Sequence, residues 1–213
     1  PVAIGRDRLA AARLLAETSN IDVILSDDGL QHYRLARALE VAVVDGSVGY
    51  GNGWLLPAGP LREPVGRLAD VAAVVVNGEL RRALALPAPV TLAMRLRVSE
   101  VRSVDGSSRV RSLESFVGTR VHAVAAIGQP QRFFSMLRAA GIELIEHPAN
   151  DHHRWQANEL DFRDGLPLLM TAKDAVKCRR FARSDWWRVD VEAELPAADA
   201  ARLLQMIEKA GNA

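Results

Sequence analysis

Apolar segments that end in acidic or amide side chains are the feature of this sequence that most limits how it can fold. The predicted strands cover residues 1–5, 21–26, 41–45 and 71–76. Continuous apolar strands separated by helices or long loops are typical of a parallel sheet that is buried on both faces. Asp27, Asp28, Asp45 and Asn77 lie at the ends of three of these strands. Because ligands bind at the carboxyl ends of the strands in such sheets, we expect these side chains to lie near a binding crevice.

A change of pattern after residue 87 predicts a second α/β lobe. Residues 90–98 and 109–113 alternate between apolar and polar side chains, and an Asp-Gly pair between them predicts a hairpin turn. The predicted helices cover residues 6–17 (with Asp7 as N-cap), 131–140, 157–162, 174–181 and 197–209, and the later strands cover 121–127, 142–146, 166–170 and 187–191. The predicted domains are a partial core lobe (1–87), a two-stranded linker (88–118) and a C-terminal α/β lobe (119–213).

Composition excludes several classes of protein. Because 49% of the 213 residues are hydrophobic, the chain can bury a sizeable core and is not predicted to be disordered. A net charge of +1 without a polybasic block gives no indication of nucleic-acid binding. The single cysteine, Cys178, excludes an internal disulfide and a cysteine metal cluster, which suits a reducing compartment.

The run Asp-Asp-Gly-Leu-Gln-His at 27–32 is the first candidate site. Carboxylates in this position commonly hold Mg²⁺ in nucleotide-binding α/β proteins. Gly29 would allow a tight turn after the strand, and Gln31 offers a neutral oxygen that could help ligate a hard cation. Asp and Gly also suit ordinary solvent-exposed turns, so the run alone leaves both interpretations open.

The second candidate lies in a long loop, residues 46–64, which is rich in glycine and proline. A loop of this length in a compact domain is usually functional. Arg62 could bind a phosphate or carboxylate through two parallel hydrogen bonds, and Glu63 is a possible metal ligand. The alternative is a surface loop in which an Arg-Glu pair contributes little.

Two further candidates lie in the second lobe. One histidine of the Asp151–His153 run could relay a proton, whereas the alternative is a pair of exposed loop histidines. Zinc is disfavoured because no cysteine lies nearby. Residues 171–178 (Thr-Ala-Lys-Asp-Ala-Val-Lys-Cys) form a strand-to-helix junction that could bind an anion, or simply a capped helix with surface lysines.

These runs, together with Leu-Leu-Pro-Ala-Gly-Pro-Leu-Arg-Glu-Pro at 55–64, closely resemble the tetraacyldisaccharide 4'-kinases, the lipid A 4'-kinases of Gram-negative bacteria. The resemblance implies an α/β fold of the P-loop NTPase superfamily. It comprises a three-layer, P-loop-kinase-like core lobe, truncated here at its N-terminus, and a smaller C-terminal α/β lobe joined by a two-stranded linker. It implies transfer of the ATP γ-phosphoryl group, with Mg²⁺, to the 4'-hydroxyl of an acylated disaccharide 1-phosphate lipid. It also implies peripheral attachment to the cytoplasmic face of the bacterial inner membrane.

The resemblance also assigns roles to individual residues. The catalytic set would be His152, Asp27 and Asp28; the substrate-binding set Arg8, Arg62 and Asn52; and the metal set Gln31, Glu63 and Asp27. His152 would correspond to the histidine that pairs with the family's catalytic aspartate. Ala172 stands where relatives usually have Glu, and Ala149 and Asn150 replace a frequent Phe-Pro, so these positions depart from the family pattern.

The sequence contains no Gly-x-x-x-x-Gly-Lys-Thr motif. In the family, the P-loop, the membrane-contacting N-terminal helix and the catalytic aspartate all precede the region that this chain resembles. We therefore expect the chain alone to be inactive as a kinase. Two alternatives stay open, namely a non-catalytic nucleotide- or lipid-binding relative, and another P-loop phosphotransferase with a soluble substrate.

Overall fold

The chain divides into two compact units in its computed structural model, which describes residues 1–80, 85 and 87–211. The first unit comprises Pro1–Arg95 and Glu194–Ala213, and the second comprises Leu96–Ala193. The mixed α/β class is confirmed. The functional division at residues 87 and 118 stays a prediction.

Three parallel strands organise the first unit. They are β1 (Val41–Asp45), β2 (Ala73–Asn77) and the first part of β3 (Thr91–Ser103). Asp45 lies opposite Asn77 across the ladder, so these two polar ends meet at one edge of the sheet, as predicted. The β2 valines are buried on both faces, which explains why this strand is continuously apolar.

Among the described residues, two α-helices belong to the first unit. Helix α1 (Arg8–Thr18) begins where the Asp7 carboxylate accepts hydrogen bonds from the next backbone N–H groups, which confirms the predicted N-cap. Helix α4 (Ala197–Gly211) is the last helix, and its Asp199 carboxylate accepts a 2.7 Å hydrogen bond from the Ala93 N–H. Leu203 and Met206 of α4 pack against the buried side chains of the sheet.

Two predicted strands of this unit are wrong. Residues 1–5 and 21–26 form no strand in the structure. Their apolar side chains are largely exposed, with Val2, Ile4 and Leu25 at 87%, 92% and 86%. An apolar run becomes a strand only where its backbone groups pair with a neighbouring strand, and no such ladder forms here within the described residues.

A larger parallel sheet organises the second unit. Its strands are β5 (Arg120–Ala125), β6 (Glu143–Pro148), β7 (Leu168–Thr171) and β8 (Trp186–Glu194), in the spatial order β8-β7-β5-β6. The second half of β3 lies beside β8 and pairs antiparallel with β4 (Val110–Arg111). Helices α2 (Pro130–Ala139) and α3 (Ala172–Cys178) follow β5 and β7.

This sheet separates two apolar clusters that are much larger than those of the first unit. One contains Phe116, Phe134, Leu137 and Trp187 among others. The other contains Trp155, Leu160, Met170 and Trp186.

The helix predicted at 157–162 is wrong, because these residues form turns and irregular backbone. The Glu159 carboxylate accepts a 2.6 Å hydrogen bond from the Gln156 N–H and lies 3.1 Å from the His153 ring. Such local side-chain bonds compete with helix formation. Within the described residues, no helix has the length and apolar character needed to cross a membrane.

Candidate active site

The Asp-Asp-Gly run forms a sharp turn in the first unit. Asp28 has a φ of +50°, a left-handed conformation that aspartate adopts more readily than most residues. A Cβ on Gly29 would lie 2.9 Å from the Ser26 hydroxyl and 3.2 Å from the Ser26 carbonyl, so a larger residue there would crowd Ser26. The His32 N–H closes the turn on the Gly29 carbonyl at 3.0 Å. Both acids are exposed to solvent as a result.

Arg62 connects this turn to the glycine-rich loop. Its guanidinium donates to the Asp28 carboxylate at 2.8 Å and to the Gln31 side-chain oxygen at 3.0 Å. The Gln31 amide in turn donates to Glu63 at 2.7 Å. The structure thus brings together four predicted site residues from two separate runs of the sequence.

Hydrogen bonds in this cluster favour the charged forms of Arg62 and Glu63. The Asp28 carboxylate raises the pKa of Arg62. The pKa of Glu63 is lowered, first by the hydrogen bond from the Tyr33 hydroxyl and then by that from Gln31. Arg62 and Asp28 are still 57% and 66% exposed, so an incoming anion can reach the guanidinium.

Asn52 braces the glycine-rich loop from inside. Its amide donates to the Ala58 carbonyl at 2.9 Å, and its oxygen accepts from the Trp54 N–H at 3.1 Å. A Cβ on Gly59 would overlap both the Asn52 side chain and the Trp54 carbonyl. Because both ends of the Asn52 amide are occupied, its predicted contact with substrate stays a prediction.

Arg8 lines a basic cleft of about 480 Å³ in the first unit. Arg6, His32 and Arg34 share this cleft, and the Arg8 Nε lies 3.5 Å from the His32 ring. Sequence reasoning missed Arg6 and Arg34. Arg6 lies two residues before Arg8, and Arg34 lies two residues after His32, so their closeness in sequence to these two residues was the available signal.

The metal set is only partly suited to Mg²⁺ in this conformation. Among the described residues, no three or more His, Cys, Asp or Glu side chains are grouped so that they could hold a metal ion. Gln31 and Glu63 are hydrogen-bonded to each other, whereas Asp27 has no such partner in the described part of the chain. Since Mg²⁺ in phosphotransfer sites needs only one or two carboxylates besides water and phosphate, Asp27 fits that role. The roles of Asp27, Gln31 and Glu63 as metal ligands stay predictions.

His152 belongs to the second unit and follows β6. Its φ is +65°, and its N–H donates to the Ala126 carbonyl at 3.3 Å. The side chain is 83% exposed, with Nε2 at 3.7 Å from the Asp151 carboxylate. The imidazole is therefore accessible to solvent.

Asp174 and Lys177, from the strand-to-helix junction, brace the backbone next to His152. The fully buried Asp174 carboxylate accepts from the Ala126 N–H at 3.0 Å, and Lys177 donates to the His153 carbonyl at 3.1 Å. The Thr171 hydroxyl caps α3 by accepting from the Asp174 N–H. Of the two interpretations left open for this junction, the capped helix agrees with these contacts. Burial raises the pKa of Cys178, at the end of α3, to about 11.

Comparison with known proteins identifies the family. The family described as tetraacyldisaccharide-1-P 4'-kinase matches residues 1–210. The chain is 50% identical over 210 residues to the tetraacyldisaccharide 4'-kinase of Aromatoleum aromaticum, covering 97% of this chain and 62% of that protein. It is 51% identical over 209 residues to that of an Azoarcus species, covering 98% and 61%. The chain thus spans about three fifths of the length of these curated relatives.

A solved structure supports the fold. LpxK from Aquifex aeolicus, determined in complex with ATP, matches with a TM-score of 0.72 at 23% identity, covering 97% of this chain and 63% of that chain. Since the family match extends over nearly every residue, the chain belongs to the tetraacyldisaccharide-1-P 4'-kinase family.

Proposed function

We propose that this chain serves ATP-dependent phosphorylation of the 4'-hydroxyl of a tetraacyldisaccharide 1-phosphate, a lipid A precursor. Membership of the tetraacyldisaccharide-1-P 4'-kinase family supports this reaction. The observation that carries the proposal is the contact of Arg62 with Asp28 and Gln31, which joins the two motifs that the family resemblance assigns to phosphate chemistry.

The arginines are proposed to bind anionic oxygens. Arg62 holds a fixed positive charge at an exposed position and can exchange its bond to Asp28 for one to a phosphoryl oxygen. Arg8 presents a second guanidinium in the basic cleft, where the 1-phosphate of the substrate is a suitable ligand. Asn52 stabilises the conformation of the loop that carries Arg62 and is proposed to contact the sugar.

Asp27 and Asp28 are proposed to hold Mg²⁺, with Gln31 and Glu63 nearby. When bound, Mg²⁺ offsets negative charge on the phosphates. His152 is proposed to take part in removing the proton of the attacking hydroxyl, because its imidazole is exposed. The division into a core lobe (1–87), a linker (88–118) and a C-terminal lobe (119–213) is also part of this proposal.

The proposed substrate carries acyl chains, which keep it in a membrane. The protein is therefore proposed to work peripherally at the cytoplasmic face of the inner membrane.

An assay of the full-length protein tests the function. Wild type should form 4'-phosphorylated product from Mg²⁺-ATP and the acylated disaccharide 1-phosphate. Arg62→Ala should lower kcat/KM by roughly 100-fold, and Arg62→Lys should recover only part of it, because lysine cannot form two parallel hydrogen bonds. Arg95→Ala, which removes an exposed arginine of the same unit, is the matched control and should leave kcat/KM unchanged.

The alternatives predict other results. Equal competition by acylated and deacylated disaccharides would favour a soluble substrate. A wild-type protein that binds ATP without forming product would favour the non-catalytic relative. Turnover by the 213-residue chain alone would contradict the proposed nucleotide site, since this sequence has no phosphate-binding loop motif.

A further inference from the structure

Arg37 holds the backbone of the Asp-Asp-Gly-Leu-Gln-His run in place. Its Nη1 donates to the Gly29 carbonyl at 2.6 Å and to the His32 carbonyl at 3.2 Å, and lies 3.5 Å from the Leu30 carbonyl. The first two carbonyls also close the turns of the run, by accepting the N–H groups of His32 and Leu35. One guanidinium thus binds both ends of the segment that follows the two acids.

A second set of contacts links Arg37 to the glycine-rich loop. The Nη2 of Arg37 lies 2.6 Å from the Glu40 carboxylate, and the other oxygen of Glu40 accepts a 2.5 Å bond from Arg67. Arg67 lies 3.4 Å from Glu63, the residue that binds Gln31 and Tyr33. Arg37, Glu40 and Arg67 are only 15–18% exposed, so these ion pairs are shielded from solvent far better than the Arg62–Asp28 pair.

This geometry suits arginine. One nitrogen of the planar guanidinium donates to the carbonyls while the other lies 2.6 Å from the Glu40 carboxylate, whereas a lysine ammonium is a single point that cannot reach both groups in the same way. Because Asp28 and Gly29 are adjacent, loss of the bond to the Gly29 carbonyl would loosen the turn that sets the direction of the acids.

We infer that Arg37 is a positioning residue for Asp27 and Asp28. It acts by fixing the backbone of the turn, while Glu40 and Arg67 tie that turn to Glu63. This inference rests on the proposed function in one respect only, namely that the acids serve phosphoryl transfer. The clamp, by which we mean the hydrogen bonds of Arg37 to the Gly29 and His32 carbonyls, lies within the first unit.

The first experiment measures kinetics of the full-length protein. Arg37→Lys should lower kcat by roughly 10- to 100-fold at saturating substrates and raise the Mg²⁺ concentration for half-maximal rate, with a smaller change in KM for the lipid. Arg95→Lys is the matched control, because it makes the same replacement at an exposed arginine of the same unit. A purely structural arginine would leave kcat per folded molecule and the Mg²⁺ dependence unchanged.

The second experiment measures hydrogen exchange and needs no activity. In Arg37→Lys, the amides of His32 and Leu35 should exchange roughly 10-fold faster or more, whereas the amides of β2 should exchange as in wild type. Glu40→Gln should produce the same change to a lesser extent, because it removes the charge that orients Arg37.

The outcomes separate the inference from the proposed function. Unchanged exchange at His32 and Leu35 would overturn the clamp. Faster exchange combined with wild-type kcat and Mg²⁺ dependence in an active enzyme would overturn the positioning role of Arg37. If wild type proves inactive, or if Asp27→Asn and Asp28→Asn retain full activity, the proposed function or its metal site fails. In that case, faster local exchange in Arg37→Lys would still support the clamp, but the clamp would have no role in catalysis.

Discussion

The two units place a carboxylate against a cation in opposite environments. Asp28 and Arg62 in the first unit form a 2.8 Å pair that is more than half exposed. Asp174 in the second unit is fully buried, and its two oxygens together accept four hydrogen bonds from backbone and side-chain donors. An exposed pair costs little to separate, whereas a buried and fully bonded carboxylate cannot lose partners cheaply. The first arrangement therefore suits exchange with a ligand, and the second suits fixing a fold.

The two units also differ in how many apolar side chains they bury. The second unit buries aromatic and aliphatic side chains on both faces of its sheet. The buried clusters of the first unit consist of a few side chains each, and its segments at 1–5 and 21–26 leave apolar groups exposed. We therefore expect changes inside the second unit to have the larger effects on stability.

The largest effect is expected for Asp174→Asn. Because both oxygens of Asp174 accept hydrogen bonds, the asparagine NH₂ must face donors, and we expect the free energy of unfolding to fall by about 3 kcal/mol. Asp28→Asn is the matched control, with an expected change below about 0.5 kcal/mol, since asparagine also tolerates a positive φ. Urea unfolding followed by tryptophan fluorescence measures this, through Trp54 in the first unit and the three tryptophans of the second unit. Equal costs for the two variants would remove the contrast.

A smaller effect is expected for Gly59→Ala in the first unit. Its Cβ would overlap the Asn52 side chain and the Trp54 carbonyl, so the free energy of local opening should fall by about 2 kcal/mol. Hydrogen exchange of the Leu56 and Leu61 amides, which close this loop, reports that opening. Gly66→Ala is the control, since a Cβ there meets nothing within 4 Å. Unchanged exchange in Gly59→Ala would mean that the loop is not rigid.

A pH-dependent effect is expected in the second unit. Burial, followed by the neighbouring His122, lowers the pKa of His147 from its usual 6.5. The unfolded chain therefore binds a proton more readily, so stability is complete above pH 6.5 and falls as the pH drops through 6.5 toward the folded-state pKa. The Asp164 carboxylate lies 2.9 Å from the His122 ring. Its pKa is lowered mainly by the hydrogen bond from the Leu166 N–H and to a smaller extent by His122, so it stays ionised in this range.

Urea unfolding at about pH 7.5 and about pH 5.5 tests this linkage. His147→Gln should show a smaller loss of stability between the two conditions than wild type. An equal loss in both proteins would assign the pH dependence to other groups.

The smallest effect is expected for Arg95→Ala. Arg95 and Glu194 form a 2.8 Å ion pair in the first unit with 74% and 42% of their side chains exposed. Solvent screening limits the contribution of such a pair, so the free energy of unfolding should change by less than about 0.5 kcal/mol. A cost above about 1 kcal/mol would show that exposed pairs matter more here than the comparison assumes.

Regular elements could be predicted where the local pattern was strong. The predicted strand at 41–45 is β1 at the same residues, and the helix predicted at 131–140 is α2 to within one residue at each end. The candidate site was predicted as a set of residue types in two motifs. The bonds of Arg62 to Asp28 and Gln31 were not predicted, because they join residues more than 30 positions apart. Arg37 was missed altogether, since nothing distinguishes a clamping arginine from a surface arginine in one sequence.

The sequence by itself determined the α/β class, the polar ends of β1 and β2, the N-cap at Asp7 and the family motifs, because each of these depends on neighbouring residues and on periodicity. The tertiary structure decided which apolar runs became strands, since a strand needs a partner that its own residues do not supply. It also decided that Asp28 is exposed and Asp174 buried. Burial and long-range hydrogen bonds depend on which distant segments meet, and these two factors separate the exposed candidate site from the buried carboxylate that stabilises the second unit.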